Sequence, residues 1–183
     1  LKLNGKEFCS YAMPKNFDTA RGTVNLWVSP QNWKFSEKRN QIFFEAKQAD
    51  FRLVIYKYEH NPFVCAYLQG DGSETVNAHI EPADWENKQW HMITVTWDSD
   101  ALQLFIDGKI PKNYLPGNSH PAFPVKKFSK TKNLPPVSPT GFIGLGNLFG
   151  GFRTSVEDET AYDELSVYNR CLSDSEILAL YEA

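Results

Sequence analysis

Apolar and polar positions alternate along most of this chain. Val24, Leu26 and Val28 alternate with Thr23, Asn25 and Trp27, the period of a strand with one buried face. Phe51 to Tyr58 is rich in aromatic and β-branched residues, and Phe63 to Leu68 follows the Asn61-Pro62 turn signal. His91, Ile93, Val95 and Trp97 line one face of a further strand, and Leu102, Leu104 and Ile106 line its partner. Asp98 to Asp100 makes the reversal between those two, and Asp107-Gly108 marks another tight turn. Only the C-terminus carries a helical pattern. Ser173 to Glu176 reads as a capping box, with Ile177, Leu178 and Leu180 as a short apolar stripe.

Many short strands separated by turns predict an all-β fold, a sandwich of two antiparallel sheets. A chain of 183 residues makes one domain over 1–183, large enough to bury a core. The stretch from Pro111 to Pro139 has no clean period, and a loop of that length is functional or disordered. Gly141 to Asn147 then carries three glycines, which predicts close approach of another backbone or a ligand. In Tyr162 to Tyr168, simple alternation puts Asp163 on the face of Leu165 and Val167. A carboxylate there must be hydrogen-bonded, metal-bound or at the sheet margin.

The closing stretch AYDELSVYNRCLSDSEILALYEA, with GTVNLWVSP, WHMITVTWDSDALQLFIDGK and the opening LKLNGKEF, resembles laminin-G-like jelly rolls of the concanavalin A-like lectin/glucanase superfamily. The resemblance spans nearly the whole chain. It implies a concanavalin A-like jelly roll with a short C-terminal helix, and a domain that binds glycans or protein surfaces, often with a structural Ca2+. It also implies an extracellular or cell-surface setting. The chain opens at Leu1 inside a first strand, which reads as a piece excised from a longer protein.

Net charge is −3, so no global field favours nucleic acid or an anionic membrane. No apolar run reaches membrane-spanning length. Cys9, Cys65 and Cys171 lack the close spacing of a zinc or redox motif and read as small core hydrophobes.

Glycoside hydrolysis needs two carboxyl groups flanking one bond. Glu159 and Asp163 are four apart, Asp163 and Glu164 are neighbours, and no glutamate shows the strand spacing that hydrolases of this sandwich use. No Ser-His-Asp set or metal-ligand histidine spacing stands out, and His91 reads as a structural core histidine. The expectation is therefore a non-catalytic carbohydrate-binding module, with a protein-interaction or structural module packing on a flanking domain as the alternative. Sugar faces stack on aromatic planes. Trp33 and Trp85 lie among polar loop residues, and Tyr114, Phe149 and Arg153 lie in loops; these are the candidate ligand-binding residues. The resemblance puts a calcium near the closing strand, with Asp163 at the acidic position and Asp18 approaching from the turn before Gly22. Lys126, Lys127, Lys130 and Lys132 around Phe128 read first as a solvated face. The sharper reading is attraction to an anionic glycan.

Overall fold

The computed structural model describes residues 1–60, 62–70, 73–79, 85–111, 125–127, 134–148, 150, 152 and 154–183, with 73–79 and 125–127 as backbone. Twelve strands and one helix follow in order: β1 (Lys2–Asn4), β2 (Phe8–Ala12), β3 (Gly22–Pro30), β4 (Gln41–Gln48), β5 (Phe51–Lys57), β6 (Phe63–Gln69), β7 (Ser73–His79), β8 (His91–Trp97), β9 (Ala101–Ile106), β10 (Val125–Lys127), β11 (Phe142–Gly146), β12 (Glu159–Tyr168) and α1 (Asp174–Glu182). They form two six-stranded sheets. The first has the order β1-β12-β3-β8-β9-β10 and the second β2-β11-β4-β5-β6-β7. Every described strand pairing is antiparallel. This is the all-β sandwich that the alternation predicts.

The core lies between the sheets. Val24, Leu26 and Val28 of β3 and Ile93, Val95 and Trp97 of β8 meet Phe44, Leu53, Ile55, Val64 and Ala66 from the second sheet. β3 can begin close under β8 because Gly22 has no side chain. A Cβ there would stand 2.5 Å from the Trp97 ring and 2.8 Å from the Tyr168 carbonyl oxygen. The Asp107-Gly108 turn has φ of 51° and 74°, the left-handed pair that a tight hairpin turn requires.

α1 covers the outer face of the first sheet, where Met92, Phe105, Leu172 and Ile177 form a second apolar cluster. Its capping box is present in full. Tyr181 stacks on Trp27 with ring centroids 5.7 Å apart.

One expectation fails here for a clear reason. β12 pairs with β3 through Asp163↔Trp27 and then Ser166↔Asn25, with a bulge between them. The extra residue, Glu164, sits at φ 47°. The bulge reverses the alternation, so Asp163 is exposed on the outer face while Leu165 and Val167 turn to the core. All three cysteines are free; Cys65 is buried, and Cys9 and Cys171 are half-buried rather than core residues.

Candidate functional site

A ligand-sized space lies at the end of the sandwich where β3 begins. It is a cleft of about 890 Å³ between the β2–β3 loop, the segment Leu134 to Val137 and the end of β12. That volume falls in the range of small-ligand sites.

The loop wall is fixed from beneath. Phe17 is driven into the core, stacked on Trp97 at 5.0 Å and edge-on to Phe51 at 5.8 Å. The Trp97 indole N–H donates to the Thr19 carbonyl at 3.1 Å. The Thr19 hydroxyl donates to the Pro135 carbonyl, which ties the two walls together. Gln48 holds the opposite wall: its amide N–H donates to the Pro136 carbonyl at 2.9 Å and its carbonyl accepts from Ser138 N–H at 2.8 Å. A site held this way is preorganised, so little ordering cost remains for ligand binding.

Polar groups converge on an apolar floor. Lys15, Asn16, Asp18 and Asn169 line the cleft with Tyr168, above Phe17, Leu134 and Val167. Asp18 accepts the Ala20 N–H at 2.8 Å through Oδ1, an Asx turn that orients the carboxylate. Among the described lining residues Asp18 is the one carboxylate. The cleft therefore offers an acceptor, amides and an ammonium beside apolar surface, and its described lining lacks the carboxyl pair that glycoside hydrolysis uses.

The predicted tryptophans are elsewhere and are not available to a ligand. Trp33 is 1% and Trp85 5% exposed. Trp33 packs on Phe35 and Phe43, and its indole N–H donates to the Thr160 hydroxyl at 3.0 Å. Trp85 lies flat on His91, centroids 4.0 Å apart and planes within 6°. His91 is the structural histidine expected, buried and 2.8 Å from Asp107 through Nδ1. These rings close the opposite end of the core.

Tyr114, Phe149 and Arg153 lie outside the described residues, as do Lys130 and Lys132. Their neighbour Phe152 folds back on the second sheet, 5.3 Å from Tyr56, with the Arg52 guanidinium 5.2 Å from its ring centre. The exposed indole is instead Trp90, at 42%. It immediately precedes β8, and the polar Lys88-Gln89 before it was the available clue.

The structure does not bring Asp18 and Asp163 together. Asp163 pairs with Trp27, five residues along β3 from Gly22, about 16 Å at the usual strand rise. Asp18 lies beyond the other end of that stretch. Among the described residues no three His, Cys, Asp or Glu side chains are grouped to hold a metal.

Residues 4–119 match a laminin-G-type family of the concanavalin A-like lectin/glucanases superfamily. The chain belongs to this family. Solved structures of the same fold include the receptor-binding domain of botulinum neurotoxin D, with TM-score 0.69 and 11% identity over 99% of this chain and 43% of that one. The binding domain of botulinum neurotoxin serotype G gives 0.67 and 17% over 99% and 42%. The serotype D ligand-binding domain in complex with N-acetylneuraminic acid gives 0.67 and 13% over 99% and 41%. At these identities the likeness to this concanavalin A-like domain is one of fold. The chain spans well under half the length of those structures. No curated protein sequence matches it.

Proposed function

We propose that this domain is a non-catalytic carbohydrate-binding module working outside the cell, and that the cleft at the start of β3 is its binding site. The observation that carries the reading is the meeting of Asp18, Asn169 and Lys15 over the apolar floor of a braced cleft. A carboxylate and an amide accept and donate to vicinal hydroxyls, while Leu134 and Val167 offer apolar surface to the C–H face of a pyranose. Lys15 favours a glycan that carries a carboxylate or sulfate. The sialic acid complex of a structural neighbour supports a sugar ligand in general terms. No described helix is long and apolar enough to cross a membrane.

The test is calorimetric titration of the 183-residue chain with neutral, uronic-acid and sulfated oligosaccharides. Asp18→Ala and Asn169→Ala are expected to weaken binding by about tenfold each, the effect of losing one strong hydrogen bond. Lys15→Ala should matter only for anionic ligands and at low salt. Unchanged affinity in both Asp18→Ala and Asn169→Ala, or no binding across the panel, would overturn the assignment.

A further inference from the structure

Each sheet has two edges, and they are not protected equally. β1 and β10 are three residues long and carry Lys2, Lys126 and Lys127. β7 carries Glu74 and approaches β9 and β10 of the other sheet. β2 is different: Phe-Cys-Ser-Tyr-Ala over five residues, with no charge and no proline. Charges, proline and short length are the usual devices that stop an edge from pairing with another chain, and β2 has none of them.

Its side chains are open as well. Phe8 is 52%, Tyr11 50% and Phe142 of the adjacent strand 46% exposed. The register Phe142↔Ala12 and Gly146↔Phe8 puts Phe8, Ala12 and Phe142 on one face of the second sheet.

The free backbone groups of β2 follow from its pairing with β11. Met13 N–H donates to the Gly141 carbonyl at 2.8 Å, and Asn147 N–H donates to the Glu7 carbonyl at 3.3 Å. In an antiparallel ladder the residues facing the partner alternate. Glu7, Cys9, Tyr11 and Met13 therefore turn their backbone groups toward β11, and Phe8, Ser10 and Ala12 turn theirs outward. The Ala12 carbonyl is met by the Asn16 amide at 2.8 Å, which agrees with that direction and stops the edge at this point.

We infer that β2 is the interface of a two-fold dimer, pairing antiparallel with β2 of a second copy of this chain about an axis at Ser10. That register matches the free groups. The Ser10 residues exchange N–H and C=O, and each Ala12 N–H reaches the carbonyl of the partner's Phe8. It also matches the side chains. The partner's Phe8 comes to lie on the far side of Ala12 from Phe142, about 10 Å away across two strand spacings, so the two rings close over the alanine methyl. The two-fold repeats this contact, and the four exposed phenylalanines are covered in pairs.

Sedimentation of the 183-residue chain over low to high micromolar concentration should show a monomer–dimer equilibrium. Ser10→Lys, which sets like charges face to face on an exposed strand, should leave a folded monomer by circular dichroism. Cross-linking then tests the register in a Cys9→Ser background. Ser10→Cys should give a disulfide dimer under mild oxidation, because directly opposed residues of this pair type lie about 5.5 Å apart, within disulfide range. Phe8→Cys should not, since the two Phe8 positions are offset by about 13 Å. A strictly monomeric wild type, or equal cross-linking at both positions, would overturn the proposal.

Discussion

The indole N–H of Trp33 donates to the hydroxyl of Thr160 at 3.0 Å, and both side chains are buried. That bond joins the β3–β4 loop to the start of β12 and gives this buried indole its polar partner. Trp33→Ala is expected to cost about 3–5 kcal/mol, as large-to-small changes in packed cores do. Asn169→Ala, at an exposed position, should shift stability by no more than about 0.5 kcal/mol while weakening binding. Denaturant melts of the two variants beside binding titrations separate the roles. Near-native stability of Trp33→Ala would refute its place in the core.

Lys57 supplies a pH dependence of known sign. Its side chain is 1% exposed, and the ammonium donates to the carbonyls of Glu37 and Arg39. Burial pulls its pKa down from 10.5 to about 8, with Glu37 and Asp158 acting against that pull. The unfolded chain therefore binds the proton more tightly between about pH 8 and 10.5, and stability rises across that window as pH rises. Lys57→Met removes this slope. Urea midpoints at pH 8 and pH 10 should rise for the wild type relative to the variant. Parallel behaviour of the two proteins would contradict the shift.

How much of this was legible beforehand depended on regular alternation. β3, the β8–β9 hairpin and the capped helix each have uninterrupted periods, and each lies where the sequence puts it. β4 hides its face because the register slips between Ile42 and Phe44. Asp163 misled for the same reason: one bulged residue reverses a period of two, and nothing in the residue types announces it. Trp33 and Trp85 failed differently. Their flanking residues are polar and solvated, but the loops carry the rings inward, where Phe35 packs against both, at 5.3 and 4.8 Å. Asp18 stood out in the sequence only as a calcium ligand, so the cleft itself was not legible. Lys15 shares the loop of Asp18, but Asn169 is distant in sequence and joins them only once β12 pairs beside β3.

α1 is held by a local cluster. Glu176 N–H donates to the Ser173 hydroxyl at 3.3 Å, Ser173 N–H donates to the Glu176 carboxylate at 2.8 Å, and Arg170 grips the same carboxylate with two bonds of 2.7 and 2.9 Å. The Arg170 hydrogen bonds, followed by those of Ser173, hold the Glu176 pKa down at about 2. The stabilisation is present above the ordinary glutamate value and is lost as pH falls from about 4.5 toward 2. Ser173→Ala should cost about 1 kcal/mol, a melting shift of about 2–4 °C in a domain of this size. A thermal scan at pH 7 checks the first effect, and the difference between wild type and Glu176→Gln from pH 5 to 2.5 checks the second.

Asp163 gives the sharpest contrast between sequence pattern and structure. Its carboxylate is exposed, accepts only the Glu164 N–H at 3.0 Å, and stands beside Trp27 on the outer face. A residue with one local bond to its own bulge holds little of the fold together. Asp163→Ala should change stability by no more than about 0.5 kcal/mol, and the wild-type and variant melting curves should respond alike to added calcium or chelator. Asp18→Ala should leave that comparison untouched as well, yet weaken glycan binding in the cleft by about tenfold. A calcium-dependent rise in melting temperature that disappears with Asp163→Ala would show that the bulge binds metal, and the separation along β3 would then have to close.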